Sequence, residues 1–402
     1  MEDESKSKSW RVWLNRNVAT MGFTSLFSDT SHEMATATLP AFLTELVGAS
    51  APQLLGLITG LSDALSSFVK IFSGWLSDRL KKRKSLMVLG YLLTGLFVGM
   101  IGFAKSWFEI LFYRVLGWIG RGTREPPRDA LLAESVDRKF YGHAFGFHRA
   151  MDTLGAIIGP LLALFFIPLF GFRNIFFMSF IPGALAVLTV AIFIKEKPRI
   201  LEGKVRSFFA HVKSLPKEFQ IFILIMFIFG IGNFNRTLLL LRVQEILSPN
   251  EGIIVAGTLS VLFYAIRNIA QALADYGVGS LSDKFGKRTL LSIFGFFLFG
   301  IMSLGFMISS TNIFYFVFLF VLSGISAAAY TALEKVYVAD LLPSNMRGTG
   351  YGALQTVDGL GDFVSSFIVG TLWVAISSFM AFMYGAIMSF LAAFLLLALM
   401  KK

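Results

Sequence analysis

The chain has 402 residues, 55% of them hydrophobic and 44 of them Phe, with only 15% charged and no cysteine. A soluble globular chain carries about 25% charged residues, so a wholly water-soluble fold is excluded, as are disulfides and thiol chemistry. The net charge of +11 sits in short loops between apolar runs, where it reads as a topological signal and not as a nucleic-acid surface.

The opening MEDESKSKSWRVWLNR is polar and mixed in charge, with no short apolar core and cleavage site behind it, so no cleaved signal peptide is expected. Apolar segments follow near 17–46, 53–77, 85–104, 107–134, 142–168, 174–194, 219–246, 253–278, 289–309, 312–341, 346–376 and 379–400, twelve in all. Runs such as Ser85–Ala104 and Ile175–Ile194 reach the length of about 20 residues that a spanning helix needs. They are continuous and do not alternate apolar with polar, which points to helices and not to a barrel. The expected fold is an all-α polytopic membrane protein of twelve transmembrane helices.

Basic residues fall in alternate loops: Arg79, Lys81, Lys82, Arg83 and Lys84, then Arg138 and Lys139, then a cluster from Lys195 to Lys217, then Lys284, Lys287 and Arg288, then Arg347, Lys401 and Lys402. The other loops offer little beyond Lys105 and Arg173. This positive-inside asymmetry places both termini in the cytoplasm, in a multi-pass protein of the cytoplasmic (inner) membrane. The polar stretch Lys195–Phe219 is the seam, giving an N-terminal bundle over 1–194, a cytoplasmic linker over 195–218 and a C-terminal bundle over 219–402.

Two phrases echo across that seam. GWLSDRLKKRKSL (Gly74–Leu86) and GSLSDKFGKRTLL (Gly279–Leu291) align at an offset of 205, matching Gly74, Leu76, Ser77, Asp78, Lys82 and Arg83 with Gly279, Leu281, Ser282, Asp283, Lys287 and Arg288. At an offset of 206, Glu134 meets Asp340, while Gly142, Gly146, Asp152 and Gly155 meet Gly348, Gly352, Asp358 and Gly361. A six-helix unit is duplicated, and because six is even both copies share one orientation. Two pseudo-symmetric six-helix bundles with a site between them are a secondary-transporter architecture.

At these residues the chain resembles the major facilitator superfamily, over essentially its whole length. The family's loop signature is kept in the first copy at Gly74, Leu76, Ser77, Asp78, Arg79, Arg83 and Lys84, with Lys81 where the family has glycine. The second copy keeps Gly286 there and carries Lys284 for the arginine. The resemblance implies a gating motif made of Gly74, Asp78, Arg79, Arg83, Gly279, Asp283, Lys284 and Arg288. Physical chemistry supports such a latch: the glycines let helices approach, and the aspartates suit the positive N-terminal end of a facing helix. The basic cluster holds the loop at the anionic leaflet. Gly146, Gly155, Gly159 and Pro160 are similar to the family's antiporter pattern, although Ala163 and Leu164 replace its closing glycine pair.

Ionisable groups at bilayer depth cost about 2.5–3.5 kcal/mol on insertion scales and are functional candidates by default. Asp29, His32 and Glu33 stand at i, i+3 and i+4 on one helical face, an arrangement suited to proton exchange. The same three could instead ligate a divalent metal. The fourth segment carries Arg114, Arg121, Arg124, Arg128 and Asp129 around Pro126 and Pro127. Its repeat partner, Ser326–Asp340, has no proline and reads as continuous helix, so the fourth segment is expected to be helical through its prolines. Arg128 and Asp129 then stand opposite Glu334 and Lys335 in the two copies, poised to pair when the cytoplasmic side closes. His148, Arg149, Asp152, Asp63 and Lys70 add to the first half, and Asn233, Asn235, Arg236, Arg242, Tyr264, Arg267, Asn268, Gln355, Asp358 and Asp362 to the second. Charges matched in both halves, such as Asp152 with Asp358, suit gating. Those found once, such as Asp29, Glu33, Arg149 and Arg236, suit an asymmetric solute.

The leading expectation is a proton-coupled secondary transporter of a small anionic or zwitterionic solute, working as a monomer by rocking of its bundles, with export as one direction. Guanidinium groups clamp carboxylate or phosphate in pairs of hydrogen bonds. The alternatives are a divalent metal exporter centred on Asp29, His32 and Glu33, and a membrane sensor without transport. An enzyme is not expected, since the chain lacks a G-x-x-x-x-G-K-[ST] loop, an H-E-x-x-H pair and an appended soluble domain. No cofactor and no nucleic acid are called for.

Overall fold

A computed structural model describes residues 13–79, 83–196, 216–285, 291–342 and 347–398. All regular structure among them is helical. Helix α1 spans Arg16–Val47, α2 Ala51–Arg79, α3 Lys84–Met100 and α4 Trp107–Glu134. A single run, Tyr141–Phe193, follows, and Gly171 (φ 73°, ψ 170°) divides it into α5 (141–170) and α6 (172–193). In the second half come α7a (Lys217–Gly230), α7b (Thr237–Glu251), α8 (Ile253–Phe285), α9 (291–307), α10 (Ile313–Leu341), α11 (Arg347–Ala375) and α12 (Ser378–Ala398). Seven helical runs among the described residues are long and apolar enough to cross a membrane. Large apolar side chains point outward from them, Phe314 at 82% and Leu273 at 73% exposure, as a lipid-facing surface requires. The fold is an all-α polytopic membrane fold.

Turn chemistry marks the junctions. Gly48 (φ 58°) reverses the chain between α1 and α2, in the left-handed region that glycine enters without penalty. Ser106 caps α4 by accepting from Glu109 N at 3.3 Å, while Glu109 Oε2 accepts from Lys105 N at 2.6 Å, a variant of the reciprocal Ser-x-x-Glu cap. Helix α4 does run unbroken through Pro126 and Pro127. Proline has no N–H, so the Gly122 carbonyl four residues before Pro126 loses its helical donor. Ser73 of α2 replaces it, its Oγ donating to Gly122 O at 2.9 Å.

The expected segments 142–168 and 174–194 correspond to α5 and α6, two helices that meet at Gly171. One expected span differs from the structure. The segment 219–246 is not one helix: α7 stops at Gly230 and restarts at Thr237.

Close helix packing in the first half rests on glycines. A Cβ on Gly90 of α3 would lie 2.6 Å from both Gly120 O and Arg124 Cβ of α4, and one on Gly183 of α6 would lie 2.9 Å from Gly95 Cα of α3. Without a hydrophobic effect between helices in lipid, such backbone proximity supplies the packing energy. A core of Val18, Met21, Met87, Tyr91, Leu132 and Val190 fills the centre where α1, α3, α4 and α6 converge. At the end bearing the basic loop, the helix termini are tied. Both carboxylate oxygens of Glu196 cap α3, accepting from Arg83 N at 2.7 Å and Lys84 N at 2.9 Å. Asn17 holds Lys195 by two backbone bonds, of 2.8 and 3.0 Å, and the Arg83 guanidinium meets Glu134 at 3.0 Å.

By compactness, residues 1–38 group with 65–203, and residues 39–64 with 204–402. The C-terminal end of α1 (39–47) and the first half of α2 (51–64) therefore belong to the second unit. There a Cβ on Gly60 would lie 2.9 Å from Phe363 Cα of α11.

Adding a methyl at Gly90 should overpack the α3–α4 seam by about 1–3 kcal/mol, whereas Gly142, with nothing within 4 Å, should accept alanine without loss. Thermal unfolding of the purified Gly90→Ala and Gly142→Ala proteins in detergent checks this, with a lower midpoint expected for the first variant only.

Candidate functional site

Polar side chains gather in two places, one in each unit. In the first unit, α5 lies directly on α1. A Cβ on Gly155 would meet Leu26 O at 2.5 Å and Asp29 Cβ at 2.9 Å, and one on Gly159 would meet Thr30 O at 2.7 Å and Glu33 Cβ at 3.2 Å. Two glycines of the α5 motif thus seat the helix behind the acids of α1. Pro160 is buried beside them, while Gly146 faces open space.

His32 is buried and its Nδ1–H donates to Ser28 O at 2.9 Å. Its Nδ1 lies 3.5 Å from Asp29 Oδ1, and its Nε2 lies 3.5 Å from Glu33 Oε1. The imidazole therefore turns a different nitrogen toward each carboxylate. Among the described residues no set of three or more His, Asp or Glu is arranged to hold a metal ion. The ring stands edge-on to Trp118, whose face carries the Arg114 guanidinium at 3.9 Å.

Arg124 of α4 is 2% exposed and donates to Ser28 Oγ of α1, with its guanidinium 4.3 Å over the Tyr91 ring of α3. Its Nε is buried without a hydrogen-bond partner among the described residues. Asp152 of α5 accepts from Ser25 Oγ of α1, and His148 Nδ1 lies 3.9 Å from its other oxygen. Arg128 pairs with its neighbour Asp129, Nε to Oδ1 at 2.9 Å, with Asp129 half-exposed. Arg149 is exposed, one residue from buried His148. Glu125 bridges Lys70 and Arg121, each at 2.7 Å.

In the second unit the gap in α7 is the focus. Between Ile231 and Arg236 the backbone leaves the helix, and neighbouring helices satisfy what it exposes. Ser365 Oγ donates to Asn233 O at 3.1 Å, Asn235 N donates to Ser366 Oγ at 3.0 Å, and Tyr384 OH donates to Ile231 O at 2.8 Å. Asn235 Oδ1 caps α7b by accepting from Thr237 N at 3.0 Å, and Asn235 Nδ2 donates to Asp63 Oδ2 of α2 at 2.9 Å. Arg236 follows at the helix start, its Nε donating to Tyr264 OH of α8. Irregular backbone at this depth is tolerated where protein or a watery cavity meets it.

Arg267 is buried and donates to Ser323, Asn268 and Gln271. Glu334 is buried on α10, and one turn away Tyr330 OH donates to Asp358 Oδ1 of α11 at 2.9 Å.

The gating motif is only partly described. A Cβ on Gly74 would sit 3.6 Å from Pro126 Cβ, an ordinary contact, so Gly74 is not a forced close approach. Arg83 holds Glu134. The side chains of Asp78, Arg79, Asp283 and Lys284, the surroundings of Gly279, and all of Arg288 lie outside the described residues.

Several residues of these sites were not singled out from the sequence: Ser25, Ser28, Tyr91, Tyr330, Ser365, Ser366 and Glu196. Neutral hydroxyls in an apolar run carry no signal of their own. Gly230, Gly232, Asn233 and Asn235 were the readable sign of the α7 gap, as clustered turn formers.

With this geometry in place, comparison with known proteins is decisive. Residues 21–275 and 221–402 match the Major Facilitator Superfamily profile. The chain belongs to the major facilitator superfamily. It is 38% identical over 391 residues to an uncharacterized MFS-type transporter of Methanocaldococcus jannaschii, covering 96% of this chain and 95% of that one. It is 28% identical over 261 residues to the multidrug resistance protein MdtG of Escherichia fergusonii, covering 63% and 62%. A point mutant of the nucleoside transporter NupG shares the fold at a TM-score of 0.79 and 14% identity, over 96% of this chain and 99% of that one. The D-xylose-proton symporter does so at 0.71 and 18%, over 95% and 96%. The protein is thus a multi-pass membrane transporter of this superfamily.

Asn235→Ala removes a helix cap and should cost about 0.5–2 kcal/mol. Asn235→Asp keeps the cap yet sets a second carboxylate against Asp63, and should lower the unfolding midpoint further at neutral pH. A smaller loss in the aspartate variant would contradict the assigned role of Nδ2.

Proposed function

We propose that the protein is a proton-coupled secondary transporter that exports a small anionic or zwitterionic solute across the cytoplasmic membrane by alternating access, with both termini in the cytoplasm. The observation that carries this reading is the gap in α7. Interrupted helices are how transporters offer backbone groups and helix ends to a solute near the bilayer midplane. Asn235 and Arg236 meet the first N–H groups of α7b, and the positive end of that helix favours an anion. Arg236 stands at that start. A guanidinium, unlike an ammonium, can meet a carboxylate or phosphate through two parallel bonds.

In the first unit the Arg124 guanidinium is buried, donating to Ser28 Oγ and lying over the Tyr91 ring. Burying a charge is costly, which makes this residue a functional candidate. The titratable cluster of Asp29, His32 and Glu33 supports proton coupling, and similarity to multidrug resistance proteins supports export.

A solute that binds only the folded protein raises its unfolding midpoint. A thermal-shift panel of carboxylates, phosphates, zwitterions, neutral polyols and organic cations should therefore show stabilisation by anionic or zwitterionic members. Arg236→Ala should abolish that stabilisation, a loss of at least tenfold in apparent affinity. Stabilisation by cations alone, or an undiminished shift in Arg236→Ala, would remove the anionic-solute reading.

A further inference from the structure

The duplicated register compares the two halves residue by residue. At the offset of 206, Arg124, Arg128 and Asp152 stand opposite Tyr330, Glu334 and Asp358. The aspartate is kept, but what surrounds it is inverted. In the first unit two arginines occupy the α4 positions. In the second unit the same two positions, one helical turn apart on α10, hold a phenol and a further carboxyl group.

Donors are short in that second cluster. The one hydroxyl hydrogen of Tyr330 serves two acids, donated to Asp358 Oδ1 at 2.9 Å with Glu334 also within its reach. Glu334, 4% exposed, keeps an Oε2 with no hydrogen-bond partner among the described residues. The charged and titratable groups around Glu334 are Asp358 and Asp362 of α11, with Lys335 and Tyr330 on its own helix. Lys335 is itself exposed. Helix α7a brings aromatic surface to this region, Phe229 lying 5.0 Å from the Tyr330 ring and Phe222 4.8 Å from that of Tyr337. An ionised Glu334 would place a second negative charge beside Asp358 and leave a buried oxygen unsolvated, a costly state. A neutral carboxylic acid carries its own O–H donor and relieves both problems.

We propose that Glu334 is the group that takes up and releases the coupling proton, with Tyr330 and Asp358 as the hydrogen-bonded partners that accept its changing charge. On uptake an O–H bond forms at a Glu334 oxygen at the expense of hydronium or a protonated buffer, and on release the proton returns to water. The site changes by one charge and nothing is oxidised or reduced. The first unit's arginines, which cannot exchange protons at physiological pH, are then left for the solute. This assignment rests on the proton-coupled reading above and moves the proton from the α1 acids to the second half.

The test is infrared difference spectroscopy of the purified full-length protein in lipid, titrated with acid and base in the absence of solute. The wild type should show a carboxylic C=O band that disappears as pH rises, and Glu334→Gln should lack it. Tyr330→Phe should keep the band at a shifted frequency, because a hydrogen-bond partner of the cluster is lost. A titrating band unchanged in Glu334→Gln overturns this assignment and leaves proton coupling standing at another acid. Absence of any titrating buried carboxyl in the wild type overturns both. Should Glu334→Gln fail to fold by thermal melt, Glu334→Asp together with Tyr330→Phe decides the matter, and a band unmoved in both overturns the proposal.

Discussion

Hydrocarbon offers no hydrogen bond, so every polar group within these helices must be met by the protein itself. That constraint organises the structure at each level. Most hydroxyls in the spans are satisfied locally, by donating to the carbonyl four residues back, as Thr30 does to Leu26, Thr38 to Met34 and Ser62 to Ile58. Where a proline removes a backbone donor, a neighbouring helix supplies one, as Ser73 does for Gly122. Where a helix is interrupted, several helices contribute, and the α7 gap is met from α2, α11 and α12.

The same constraint makes the remaining charges informative. Duplication gave both halves the same scaffold, but the halves have diverged in what they bury. Helix α1 stays unbroken and carries acids, while its counterpart is interrupted and carries an arginine. Helix α4 carries arginines where α10 carries tyrosine and glutamate. A symmetric scaffold with asymmetric chemistry can move as two similar bodies while binding a solute and a proton by different means. Glycines at Gly90, Gly155 and Gly159 keep the backbones close enough for these side chains to meet their partners.

Much of this was legible in the sequence because bilayer physics is severe. Span length, loop charge, the repeated GWLSD and GSLSD phrases and the helical continuity of α4 followed from hydropathy and register. The α7 gap did not, because a hydropathy window averages Asn233 and Asn235 with the phenylalanines around them. Glu196 was assigned to the linker, since a carboxylate that caps another helix looks like any polar loop residue until the fold brings α3 and α6 together. Gly74 illustrates the opposite error. Its place in a repeated motif suggested a tight approach, whereas its surroundings leave room for a methyl group. The i, i+3 and i+4 spacing places Asp29, His32 and Glu33 on one face without fixing which imidazole nitrogen meets which acid.

The central claim is that charges buried in the two halves couple an outgoing solute to a proton. It is tested most directly by reconstituting the purified protein in liposomes loaded with a pH-sensitive dye and adding, one at a time, solutes that stabilise the protein. Solute flux should be accompanied by proton flux in the opposite direction, and an imposed pH gradient should drive solute against its own gradient. Solute movement with no change in lumenal pH, and no response to the imposed gradient, would contradict the account.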